Sequence, residues 1–150
     1  MSLFSQIHPA FPVFAACAAV LVLKMIVVGH YTALIRIRKK AFLNPEDAQQ
    51  FAGRGDFESA EDPEVERGLR AHRNDLESTL PFLSLGLVYL WMGASPGLAK
   101  ALFISFTVLR CAFSVFYLRA LQPWRSLSFT LAELCVIVMA VQILYWAITG

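Results

Sequence analysis

Ionisable side chains crowd the segment RAHRNDLESTLP, Arg70 to Pro81, and the almost purely apolar run FLSLGLVYLWM follows directly. Glu66, Arg70, Arg73, Asn74 and Glu77 recur at i, i+4, i+7, i+8 and i+11. On a helix that spacing makes one stripe on one face. Two readings fit: the lining of a charged site at the membrane edge, or a solvated juxtamembrane helix with i,i+4 ion pairs. Arg125 and Ser126 form a second candidate, where a loop enters an apolar run. Ser126 is a residue type that caps helices, and helix N-termini favour anions. An Arg and a hydroxyl there suit a thiolate; the plainer reading is a basic anchor beside a cap.

Three further charges, Lys24, Arg110 and Glu133, lie inside apolar runs. A bilayer rejects such groups unless they face a partner or a cavity. For Lys24 and Glu133 a buried salt bridge that fixes helix register is the expectation. Arg110 fits a bridge or a functional site, with Glu77 or Glu133 as its expected partner. Cys17, Cys111 and Cys135 are dispersed in apolar runs and read as small buried hydrophobes. His8, His30 and His72 lack metal-ligand spacing, so no metal is expected. The chain carries no G-x-S-x-G, H-E-x-x-H, phosphate-loop or dinucleotide motif.

These residues need elements to hold them. Of the 150 residues 57% are apolar and 16% charged, with a mean hydropathy of +0.58. Soluble domains sit nearer half apolar and a quarter charged, so a single, all-α integral membrane domain over residues 1–150 is expected. A formal net charge of +2 implies no nucleic-acid partner. Spans are expected at about residues 11–35, 74–92, 98–118 and 127–148, each near the ~20 residues that cross a bilayer core. The second reaches that length only by running backward through Glu77, Asn74 and Arg73, which should therefore face a bundle interior or a wet cavity. Pro63 with Asp62 and Glu64 makes a helix start, and Pro81 a kink. Residues 38–62 are expected as an exposed loop. Arg36, Arg38, Lys39 and Lys40, then Arg67, Arg70 and Arg73, then Arg119 and Arg125, flank span ends on one side, against Lys100 on the other. The first and third loops are therefore expected to be cytoplasmic.

The segments VERGLRAHRNDLESTLPFL (Val65 to Leu83), RKKAFLNPEDA (Arg38 to Ala48) and RSLSFTLAE (Arg125 to Glu133) resemble the motifs of the MAPEG family, membrane-associated proteins in eicosanoid and glutathione metabolism. The resemblance covers nearly the whole chain. It implies a four-helix membrane bundle, a homotrimer in membrane lipid, and glutathione bound at each subunit interface near the cytoplasmic side. By position, Arg36, Arg70, Arg73, Asn74, Glu77, Tyr117, Arg125 and Ser126 would form the glutathione site, with Arg110 and His72 in support. Arg125 and Ser126 would activate the thiol, and Asp47 matches an acid close to the catalytic Arg. A lipophilic second substrate would arrive from the bilayer of an endoplasmic reticulum or bacterial inner membrane. The implied activity is glutathione transfer with glutathione peroxidase chemistry. The alternatives are glutathione-dependent prostaglandin E synthesis and a non-catalytic lipid-binding scaffold. Phe113 stands where close relatives usually have His, and Phe129 and Glu133 also depart from the synthase branch. Phe113 and Phe129 favour the transferase reading, whereas RSLSFTLAE and the short first loop resemble the synthase branch.

Overall fold

A computed structural model describes residues 8–53 and 60–149. Four long helices account for most of the chain: α1 (Phe11–Lys39), α3 (Pro63–Trp91), α4 (Pro96–Leu118) and α5 (Trp124–Thr149). A short helix, α2 (Pro45–Asp47), runs into a π-helical turn at Ala48–Ala52. Residues 45–52 are thus helical where an exposed loop was expected. Pro45 at the first helical position and Glu46 and Asp47 in the first turn favour that start, and a Phe42–Phe51 ring stack at 5.7 Å holds the segment folded. No strand occurs among the described residues.

Helices α1, α4 and α5 are long and apolar enough to cross a membrane. Helix α3 is not among them, because its first half carries the charged stripe. Asp62 caps α3 by accepting from the backbone N–H groups of Glu64 (2.9 Å) and Val65 (3.4 Å), which satisfies two of the orphan donors at a helix start. The helix continues through Pro81.

α3 packs against α1, α4 and α5, and α4 against α1 and α5. The face that α3 turns inward is Val65, Gly68, Ala71, Asp75, Ser78, Thr79, Phe82, Gly86 and Tyr89. Its small residues allow close approach. A Cβ on Gly68 would sit 2.4 Å from Thr32 Oγ1 of α1, and one on Gly86 2.5 Å from the Phe14 ring.

Two layers follow along the bundle. One is aromatic: Phe14, Phe82, Tyr89, Phe103 and Phe106 are buried together, with Phe82 and Phe106 stacked at 4.1 Å. The other is charged. Asp75 is fully buried and accepts from Lys24 Nζ and from Arg110 Nη2, each at 2.7 Å. Ser114 Oγ lies 3.4–3.5 Å from the same carboxylate. Three helices are thereby tied at one level. Lys24 acts as the expected register-fixing bridge. The partner of Arg110 is Asp75, in place of the expected Glu77 or Glu133. The reason is rotational: Asp75 shares the inward face of α3 with Ala71 and Phe82, whereas Glu77 is exposed.

Candidate functional site

The expected stripe does not face the interior of the single chain. Glu66, Arg70, Arg73 and Glu77 are exposed on α3, and Arg70 pairs with Glu66 one turn away. Inward positions went to small and apolar residues because close packing on α1 requires them, so the longer charged side chains point outward.

Asn74, at one edge of the stripe, connects to a cavity of about 360 Å³ between α3, α4 and α5, lined also by Phe113, Tyr117, Arg125, Ser126, Phe129 and Thr130. The Arg125 guanidinium lies over the Tyr117 ring, 5.0 Å from its centroid, a cation–π contact. Gln122 holds the other side. A guanidinium offers only donors, so the Gln122 amide places its oxygen toward Arg125, 2.7 Å from Nη2 and 3.0 Å from Nε, and its nitrogen 3.0 Å from Ser126 Oγ. Arg125 and Ser126 are therefore brought together by one neutral amide, and no carboxylate neutralises the cation in this contact. Ser126 is not the helix cap: α5 begins two residues earlier, at Trp124, which puts Ser126 in the first turn.

Arg110 stands behind this cavity. It is fully buried, and its Nη2 donates to Asn74 Oδ1 at 2.8 Å and to the Asn74 carbonyl at 3.2 Å. The Asn74 amide is thus oriented with its oxygen inward. The Arg110 Nε and Nη1 atoms are buried without a hydrogen-bond acceptor among the described residues. They are faced by aromatic rings, with the guanidinium 4.4 Å from the Phe113 centroid and 5.9 Å from Phe129. Phe113 and Phe129 give the cavity an apolar wall suited to a lipophilic group.

The remaining expected residues lie elsewhere. Arg36, Asp47 and His72 line a second cavity of about 330 Å³ between α1, the α2 segment and α3, with Phe42 and Phe51 among its walls. His72 and Asn74 are two positions apart, about 200° around a helix, so the two cavities open on opposite faces of α3. Within one copy, Asp47 is not brought to Arg125 and Ser126. Arg36 is engaged by Glu61, Nη2 to Oε2 at 2.6 Å and Nε to Oε1 at 3.3 Å. Near the same end Lys39 Nζ pairs with Asp62 at 3.0 Å and Glu64 at 2.7 Å. The Lys39 ammonium holds both carboxyls below their ordinary values.

Sequence reasoning missed three contributors. Asp75 was signalled by two intramembrane cations in need of a counter-charge. Glu61 had no signal, because it lies 25 residues from Arg36 and only folding brings the two together; Gln122 is three residues from Arg125, and its role depends on the local backbone path into α5. No group of three His, Cys, Asp or Glu able to hold a metal occurs among the described residues.

A helical chain with three bilayer-length helices and an Arg–hydroxyl pair at a side cavity defines a class of membrane protein with a polar site at the bundle edge. The MAPEG family model matches residues 14–145. The chain is 50% identical over 140 residues to prostaglandin E synthase of Homo sapiens, covering 93% of this chain and 91% of that protein. It is 49% identical over 137 residues to prostaglandin E synthase of Bos taurus (91% and 88%). It is 42% identical over 125 residues to microsomal glutathione S-transferase 1 of Homo sapiens (79% of each). The chain belongs to the MAPEG family, and with its three spanning-length helices it is an integral membrane protein.

Proposed function

We propose that the chain is a membrane-bound glutathione transferase that activates the glutathione thiol for attack on lipophilic electrophiles and peroxides. The observation that carries this reading is the Gln122-bridged pair of Arg125 and Ser126 beside Asn74 and Tyr117, against an apolar wall. The donor set fits the ligand. Glutathione has two carboxylates, one ammonium and one thiol; Arg70, Arg73 and Arg36 suit the carboxylates, Glu77 the ammonium and Asn74 the peptide groups. Bound glutathione would supply the thiolate nucleophile. A free thiol has a pKa of about 8.5, and lowering it by ~2 units needs ~2.7 kcal/mol of differential stabilisation. The Arg125 guanidinium and Ser126 hydroxyl would provide that beside the apolar wall of Phe113 and Phe129.

The opposite placement of the two cavities supports an assembly of several copies, which the family resemblance makes a homotrimer. One copy cannot close both on one ligand, whereas a neighbour presenting its Arg36–Asp47–His72 face to this copy's Arg125 face would. The basic residues at the ends of α1 and α4 and the starts of α3 and α5 support a cytoplasmic-facing site in an endoplasmic reticulum or bacterial inner membrane.

Titration with glutathione at neutral pH, followed by thiolate ultraviolet absorbance, tests the reading. Wild type should give a saturable signal and Arg125→Ala none. Saturable binding without a thiolate signal in the wild type counts against it. A second reading, glutathione-dependent prostaglandin E synthesis, is favoured by the higher identity to proteins of that name, 50% against 42%. Phe113 weighs against it. Glutathione consumption separates the two: conjugation consumes it and isomerisation does not.

A further inference from the structure

Arg36 has a property that its place in a binding site does not require. Its guanidinium is already held side-on by the Glu61 carboxylate through two hydrogen bonds, 2.6 Å from Nη2 and 3.3 Å from Nε. That two-bond geometry is the one a ligand carboxylate would take. The pair is partly shielded, with the Arg36 side chain 31% and the Glu61 side chain 15% exposed. Glu61 is also well anchored. The next residue, Asp62, caps α3 and is bonded to Lys39 of α1, so both sides of the α1–α3 crossing fix the backbone that carries Glu61. The local charge adds to the effect. Asp47 lines the same cavity as Arg36, so an entering anion meets a second carboxylate there besides that of Glu61.

We propose that Glu61 is an intramolecular competitor for Arg36, so that an anionic ligand binds this face only by exchanging its own carboxylate for that of Glu61. Glu61 then determines affinity rather than chemistry: it lowers occupancy of the site and leaves Arg125 and Ser126 on the other face of α3 untouched. The inference rests on glutathione being the ligand.

The test is a double-mutant cycle on the full chain in detergent or bilayer discs, with glutathione affinity read by calorimetry and helix content by circular dichroism. Glu61→Gln keeps the size of the side chain and removes its charge. It should tighten binding about five-fold, the factor corresponding to the upper range for exposed ion pairs. Arg36→Gln should weaken binding, and adding Glu61→Gln to it should give no gain. Damage to the fold would not raise affinity, so a structural role for Glu61 does not mimic the expected result. Unchanged or weaker binding by Glu61→Gln overturns the proposal, as does a gain that persists without Arg36. No saturable binding by the wild type overturns the glutathione reading itself, and the competitor role falls with it.

Discussion

His72 and Asn74 sit two residues apart on α3 and serve opposite cavities. On the Asn74 face the Arg125 cation is held by an aromatic ring and a neutral amide, and its contact with Ser126 is made through that amide. On the His72 face the Arg36 cation is bound by a carboxylate, with a second one lining the cavity. Arginine alone therefore says little about what a site does. A guanidinium held by neutral partners keeps its full charge for a developing anion, whereas one already ion-paired must exchange partners before it binds anything. The first arrangement suits stabilisation of a thiolate and the second suits selective, adjustable binding.

The comparison depends on α3 being held rigidly between the two faces, and Asp75 is what holds it. Asp75→Ala leaves Lys24 and Arg110 buried without a counter-ion, at a cost of about 3–5 kcal/mol. Thermal unfolding in detergent should drop sharply and both faces should lose ligand binding together. A variant that unfolds normally and retains one face would separate them from this common support. Next in size, Arg125→Ala should lower kcat about 10²- to 10³-fold with unfolding unchanged. If instead KM rises and kcat holds, Arg125 is a binding residue like Arg36 and the contrast between the faces is lost.

Gly68→Ala works on one face only. Its Cβ would collide with Thr32 Oγ1, which is buried and bonded to the Val28 carbonyl. Overpacking of this kind costs about 1–3 kcal/mol and pushes α1 away from α3. Glutathione affinity should fall through Arg36, while thiolate formation per bound ligand stays the same; equal damage to both would show that α1 also supports the Arg125 face.

The smallest effect is a pH dependence. The Asp62 and Glu64 carboxyls are held below their ordinary values of 3.8 and 4.5, first by hydrogen bonds from Lys39. Depressed folded-state values mean stability that is present above those ordinary values and lost as the pH falls through the lower folded ones. Mild acid near pH 5 should leave the α1–α3 contact at Lys39 intact, and stronger acid should loosen it. Backbone hydrogen exchange at Glu64 and Val65 reads this directly.

The aromatic layer and the charged layer differ in how much could be read beforehand. Phe82, Tyr89, Phe103 and Phe106 stand in apolar runs whose burial is expected from composition, and three of the long helices follow from hydropathy alone. Which charges meet was not legible in the same way. The stripe from Glu66 to Glu77 is correctly one face of a helix, but periodicity gives the angle between residues and not the direction in which the face points. Packing on α1 set that direction, through Gly68 and Gly86.

By itself the sequence determined an all-helical membrane chain, the Arg125–Ser126 pair as neighbours, and the need for a counter-charge to Lys24 and Arg110, because local spacing and the cost of charge in an apolar run are properties of the residues alone. Only the tertiary structure decided that Asp75 is that counter-charge, that Gln122 bridges Arg125 to Ser126, and that Glu61 occupies Arg36. The first depends on the rotation of one helix against another, the second on the local turn that leads into α5, and the third on where a loop returns. A side chain's partner in a folded protein is whatever packing brings within about 3 Å of it, and packing is settled by the small residues between helices rather than by the charged ones.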